Sequence, residues 1–505
     1  MSSLETADPT SSRNLVRSTL WSLAGQIAPG LVAIVVVPFL IRGLGTDRFG
    51  VLSLSWLVVG YFSLFDLGTG RALTKLVADE LGVGQRERLG PLIWTALIMM
   101  ALLGLVAMFV AAVLSRWLVF HVLKIPAAIQ NESLGAFYLL AISLPFVITS
   151  TGLRGVLEGL QRFDLVNIVR VPQGMLSFIA PLLVLPFTKS LVWIVASVIF
   201  VRILNGIAVL LMCLRQVPEL RHRFRFQLAE SGPLFRMGGW LTVANVLGSL
   251  NLNLDRLIIG AFLSVAAVAY YSTPFDLLSR LTLIPGALSL VLFPAFAFTL
   301  SQDRNLAAHR LKQGIKFTFL VLFPIVYFLI LFAPELMNLW VGPEFAMYSA
   351  PIARILGFGV LIMSLAYIPV VMLQAAGRSD FTAKLQLFEL PLYVAALWVL
   401  TDSMGLLGAA IAFLGRATLD SIVSLYGCER LGNKGILQES AYAIGFAAAV
   451  VLPSLFVSGV LTRSILFAAV VIVFSIAVFK KGISGAEREL LVGRFRTISR
   501  SQVRG

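Results

Sequence analysis

Acidic residues, histidines and cysteines are scarce in this chain. Asp and Glu together number 25, His 3 and Cys 2. Two cysteines, Cys213 and Cys428, cannot build a disulfide framework. The histidines, His121, His222 and His309, fall in separate expected loops, which excludes a histidine metal cluster. No GxxxxGK[ST] segment occurs, so ATP is not bound through a P-loop. No nucleophile–base pair stands out, and neither an enzyme nor a cofactor is expected. Charged residues are 13% of the chain, against about 25% in soluble domains.

What is present is apolar length. Hydrophobic residues make up 58% and the mean hydropathy is +0.92. The runs are too long, and alternate too little, for a strand-based barrel. About fourteen spans are predicted, at 15–41, 49–69, 91–119, 133–154, 164–187, 190–214, 236–262, 265–299, 314–334, 350–373, 385–402, 404–427, 440–459 and 463–480. Leu15 to Ile41 is too long for a signal peptide core. The 265–299 run holds Pro274, Pro285 and Pro294 and reads as one bent span with an extension.

The 40 Lys and Arg residues sort by side. With the N-terminus inside, 29 fall in inside segments, 6 fall outside (Arg42, Arg48, Arg116, Lys124, Lys189, Arg463), and 5 interrupt spans. By the positive-inside rule both termini are cytoplasmic. The net charge of +15 therefore follows membrane topology and implies no nucleic-acid partner.

A weak internal repeat sets the expected domains. Arg17–Trp21 aligns with Arg236–Trp240 at an offset of 219, which places Leu40–Leu52 on Ile259–Tyr271. The predicted fold is an all-α polytopic membrane protein. Residues 1–14 form a cytoplasmic segment, 15–214 an N-lobe of helices 1–6, and 215–235 a basic linker. Residues 236–427 form a C-lobe of helices 7–12, 440–480 two extra helices, and 481–505 a basic tail suited to anionic lipid. Parallel repeats across a cavity suit a rocking transporter.

The five intramembrane arginines are the candidate site. A charge at the bilayer centre costs roughly 2.5–3.5 kcal/mol on insertion scales. Arg202, Arg280 and Arg416 fall near mid-depth, Arg256 and Arg354 nearer the outer side, and Arg71 and Arg154 near the inner mouth. Asp276–Arg280, Arg416–Asp420 and Arg154–Glu158 are spaced i,i+4, so each is either a local ion pair or part of a ligand path. Arg202 and Arg354 have no acidic residue within a helical turn. Guanidinium suits phosphate because its planar fork stays charged and donates twice. Asn205, Asn245 and Asn251 are candidate sugar contacts. Asp66 and Asp255 are candidate H⁺ or Na⁺ coupling sites.

Pro38-Phe-Leu-Ile-Arg-Gly-Leu-Gly-Thr-Asp-Arg-Phe-Gly50 and Gly60-Tyr-Phe-Ser-Leu-Phe-Asp-Leu-Gly-Thr-Gly-Arg71 resemble the start of O-antigen flippase-type polysaccharide transporters. These belong to the multidrug/oligosaccharidyl-lipid/polysaccharide exporter superfamily. Asn253-Leu-Asp-Arg-Leu-Ile-Ile-Gly260 and Ala269-Tyr-Tyr-Ser-Thr-Pro274 continue the resemblance. It implies two six-helix lobes, a cationic cavity and alternating access in the bacterial inner membrane. The implied substrate is an undecaprenyl-pyrophosphate-linked oligosaccharide for O-antigen, capsule or exopolysaccharide. Membrane lipids, a polysaccharide polymerase and a chain-length regulator are the implied partners. A peptidoglycan-precursor flippase and a cation-coupled multidrug antiporter stay open as alternatives. A drug-cation exporter would want buried carboxylates, and Leu15 to Ile41 has none.

Overall fold

The computed structural model describes residues 12–62, 69–222, 254–431 and 435–477, and all regular structure among them is helical. The helices of the first half are α1 (Ser12–Leu44), α2 (Thr46–Phe62), α3 (Thr69–Gly82), α4 (Arg86–Trp117), α5 (Ala127–Gly159), α6 (Phe163–Val184), α7 (Leu191–Gln216) and the short α8 (Glu219–His222). There follow α9 (254–262), α10 (Val265–Ser279), α11 (Leu283–Gln302), α12 (Arg304–Leu331), α13 (Ala333–Trp340) and α14 (Pro343–Ala375). The last four are α15 (Ser379–Met404), α16 (Leu406–Arg430), α17 (Ile436–Ser454) and α18 (Val460–Ala477). Ten candidate spans among the described residues are long and apolar enough to cross a bilayer, and shorter apolar helices accompany them. The chain is thus an all-helical, multi-pass membrane protein. Arg236–Trp240 of the repeat lies outside the described residues. The rest of its register is visible, because α2 begins at Thr46 and α10 at Val265, 219 positions on.

One feature differs from expectation, and a second is placed more closely. The stretch after the second span, read as a loop, contains α3. Leu73, Leu76 and Val77 recur at helical spacing, and Leu73 and Val77 are fully buried, while Lys75 and Asp79 are exposed. In the long 265–299 span, Pro274 and Pro294 sit inside helices, and the break is a 3₁₀ turn at Arg280–Thr282, a tightening that often marks a hinge within a helix. Pro285, in the first turn of α11, accounts for it: its ring clashes with the carbonyl one turn back, at Leu281 in the break.

The chain divides into two compact units, and the first boundary falls immediately after Arg280. One unit holds the residues up to Arg280 with Asn338–Ile352 and Ala383–Phe413; the other holds Leu281–Met337, Ala353–Thr382 and the residues from Leu414 on. Within the first unit α10 packs on α2. A Cβ on Gly50 would run into the backbone carbonyl of Val265, so only glycine allows this approach.

In the first unit, α4 packs on α5, α5 on α7, and α6 on both α1 and α7. Glu132 of α5 ties three helices. It accepts from Arg48 of α2 at 3.1 Å and from the backbone N–H of Leu191, where α7 begins. Pro38 has no N–H, so the carbonyl of Ile34, one turn earlier in α1, lacks its helical donor. The Trp340 indole N–H donates to that carbonyl at 2.6 Å. In the second unit the core is aromatic. Phe319, Phe323 and Tyr327 stack along α12 at 5.3 and 5.8 Å, and Phe474 of α18 meets Phe323 at 5.0 Å.

Candidate functional site: an arginine and tryptophan cavity

A cavity of about 490 Å³ opens in the first unit. Gly30, Ala33, Ile34 and Val37 of α1 form one wall, and Phe49, Ser53 and Trp56 of α2 another. Phe178 of α6, Trp340, and Thr273, Asp276, Leu277 and Arg280 from α10 and its end complete it. Mostly apolar walls with a few polar groups are the usual composition of ligand pockets.

Arg280 is exposed into this space, in the turn that ends α10. Its side chain lies over Gly30, where an added Cβ would stand 3.7 Å from the Arg280 Cδ and Nε. Alanine therefore fits at position 30, and a larger side chain would displace the guanidinium. Sequence spacing pairs Asp276 with Arg280, but the structure pairs Asp276 with Arg256 of α9. Arg256 is buried, and its guanidinium carbon lies 5.9 Å from the centre of the Phe275 ring. The neighbouring Asp255 accepts from the Arg256 backbone N–H at 2.8 Å and also acts electrostatically on its guanidinium. Arg256 is thus enclosed by two carboxylates. Arg280 pairs with no carboxylate among the described residues.

The Asp276–Arg256 pair has a testable structural weight. The Arg256 side chain is 8% exposed and that of Asp276 is 50% exposed. Stranding a fully buried charge costs about 3–5 kcal/mol. Half-exposure and the remaining Asp255 reduce this, so Asp276→Ala is expected to cost about 1–2 kcal/mol. The check is the unfolding midpoint of the purified protein.

Trp56 and Trp340 were not among the sequence candidates. The Trp56 indole nitrogen is buried and meets no acceptor among the described residues, so it is a donor in reserve at the wall of the cavity. Its signal in the sequence is position: a tryptophan well inside a span, away from the interface where tryptophans gather.

A second, smaller cleft of about 330 Å³ lies between α5, α6 and α7 and includes Arg154, Arg202 and Asn205. Arg354 and Arg416 belong to the second unit and line neither cavity. Arg354 is half-buried in α14, where Glu335 and Arg463 act on it electrostatically; these two pair at 2.7 Å. Arg416 in α16 acts electrostatically on Asp420, one turn on. Arg71 lies in the first turn of α3, and its side chain is outside the described part; Asp66, Asn245 and Asn251 are outside the described residues.

Many apolar spans surrounding an arginine and indole cavity define a membrane transporter rather than an enzyme. Residues 15–300 match the polysaccharide biosynthesis protein family, and the chain belongs to it. A candidate O-antigen transporter of Shigella flexneri is 28% identical over 410 residues, spanning 81% of this chain and 96% of the relative. Two solved structures share the fold. The lipid II flippase MurJ in an inward closed conformation has a TM-score of 0.66 at 12% identity, covering 92% of this chain and 99% of MurJ. An inward-facing multidrug resistance MATE transporter has a TM-score of 0.66 at 15% identity, covering 84% and 96%.

Proposed function

We propose that the protein is a flippase. It moves undecaprenyl-pyrophosphate-linked oligosaccharide repeat units from the inner to the outer leaflet of the bacterial inner membrane, with both termini cytoplasmic. The carrying observation is Arg280, a guanidinium paired with no described carboxylate, in a cavity walled by Trp56 and Trp340. Arg280 neutralises part of the pyrophosphate, and the tryptophans present flat apolar faces and a free indole donor to the sugars. Family membership and the Shigella relative support this substrate class.

The energetics agree in sign. An inside-negative potential is worth roughly 2.3 kcal/mol per charge per 100 mV. Two negative charges moving outward through the whole field gain roughly 5 kcal/mol at 100 mV. Arg256 is assigned to holding α9 against α10, not to substrate. Asp255 is engaged in that same cluster, which weakens its case as a coupling site.

The test is a deletion strain. Lipid-linked repeat units are expected to accumulate on the inner leaflet without the protein and to clear when the wild type is restored. Normal polymer export in the deletion strain, with reduced tolerance of cationic drugs, would replace this reading with the antiporter.

A further inference from the structure

Helix α13 ends at Trp340, whose indole N–H reaches a backbone atom 306 positions away in the chain, the carbonyl of Ile34 in α1, at 2.6 Å. Pro38 makes that acceptor available. It has no N–H to return to Ile34, and its ring crowds the carbonyl one turn back. Both partners line the Arg280 cavity, and the bond is exposed rather than shut inside a core. Water can meet a carbonyl in such a place, so satisfying it does not by itself call for a tryptophan. What the bond adds is a tie between two cavity walls that lie far apart in sequence.

The tie lies beside the cation of the cavity. Ile34 is one turn along α1 from Gly30, the residue beneath the Arg280 side chain. One turn is about 5.4 Å, so a ligand held by Arg280 has the indole within the span of one sugar ring. The element that carries the indole is also short. Helix α13 has eight residues, and Gly342 follows two positions after Trp340. Gly342 has a φ of +120°, which side-chain-bearing residues rarely adopt, and no described atom lies within 4 Å of an added Cβ there. This glycine therefore serves a backbone angle rather than close packing, and it forms the corner between α13 and α14. A short helix that ends at such a corner can swing as a unit once the indole lets go.

We propose that Trp340 is a latch that the cargo opens. With the indole on the Ile34 carbonyl, α13 is fastened to α1 at the cavity wall. A sugar or pyrophosphate oxygen that accepts the indole N–H takes the place of that carbonyl and lets α13 part from α1. The cargo's role rests on the flippase reading. In that reading α12 runs outward, α13 lies at the outer end, and the latch controls release toward the outer leaflet.

The experiment follows a spin pair. The full-length protein is placed in lipid nanodiscs with nitroxides attached through Val35→Cys and Leu339→Cys, at positions 63% and 83% exposed. Cys213 and Cys428 are buried and stay unlabelled. The ratio of separated to close spin pairs reads the latch. Trp340→Phe keeps a ring and loses the donor, and one lost hydrogen bond is expected to raise the ratio about two- to tenfold. Pro38→Ala gives the Ile34 carbonyl a helical donor of its own, weakens its hold on the indole, and is expected to raise the ratio as well. The double variant is expected to match Trp340→Phe, because both changes act on one bond. A role confined to stability would lower the unfolding midpoint of Trp340→Phe and leave the ratio unchanged. That result overturns the latch, and so does a double variant in which the two factors multiply. If Trp340→Phe does not fold, Pro38→Ala decides by the same ratio. Undecaprenyl-pyrophosphate glycan is then added, with transport measured in proteoliposomes. The glycan is expected to raise the wild-type ratio toward that of Trp340→Phe and to leave Trp340→Phe where it is. Transport with an unchanged wild-type ratio refutes control by cargo and leaves the flippase reading standing. Absence of transport sinks the flippase reading, and the variants without glycan then decide the latch.

Discussion

Arg280→Glu is expected to abolish export of lipid-linked repeat units while the protein still accumulates in the membrane. Arg280 projects into the cavity without a carboxylate partner among the described residues, so its loss breaks no ion pair among them. Removing one charged hydrogen-bonding group costs about 1.5–3 kcal/mol per bond. Two bonds to a phosphate then amount to about 3–6 kcal/mol, or at least about a hundredfold in binding. Glutamate adds repulsion to that loss. Arg280→Gln is expected to fall by about a hundredfold, and Arg280→Lys to retain partial activity, because lysine keeps the charge but not the fork. The readout is clearance of inner-leaflet repeat units in the deletion strain, with membrane abundance measured beside it. Full export by Arg280→Glu would remove Arg280 from the substrate path. An antiporter of organic cations would show the opposite sign, since glutamate there improves the cavity.

Charge count and apolar length made the spans legible, because membrane insertion depends on those quantities directly. Depth placed Arg202 and Arg280 inside the protein. Partner choice was not legible in the same way. Spacing along α10 puts Asp276 one turn from Arg280, yet Asp276 turns to Arg256, which arrives from α9 across the hairpin turn. Helical periodicity sees only neighbours on one helix, so a pair between helices escapes it. The break at Arg280–Thr282 escaped for a related reason. Prolines are visible as potential kinks, but which of three breaks the span is not: the chain tightens before Pro285, and Pro274 and Pro294 are accommodated within helices, where neighbours can satisfy the freed groups. Trp340 shows how: its indole serves the Ile34 carbonyl released by Pro38.

The largest structural effect is expected at Gly50. The α2 backbone meets α10 where a Cβ on Gly50 would overlap the Val265 carbonyl carbon and oxygen. Backbone cannot swing aside as a side chain does, so Gly50→Val must part the two helices or twist one of them. Overpacking in a core typically costs about 1–3 kcal/mol, and the rigid obstacle here puts Gly50→Val at or above the upper value. A second consequence is functional. Phe49 and Ser53, which flank Gly50 along α2, and Thr273 on α10 line the Arg280 cavity. Moving the helices apart therefore also widens the cavity. Gly50→Val is expected to lower the unfolding midpoint and to reduce export below what the remaining folded protein accounts for. Gly286→Ala is the matched control. Gly286 lies inside α11 with no described atom within 4 Å of its added Cβ, so alanine there is expected to be neutral or to stabilise by up to about 1 kcal/mol. Equal midpoints for the two variants would show that the α2–α10 approach does not depend on glycine. A lowered midpoint with export proportional to folded protein would confine Gly50 to packing and leave the cavity to Arg280.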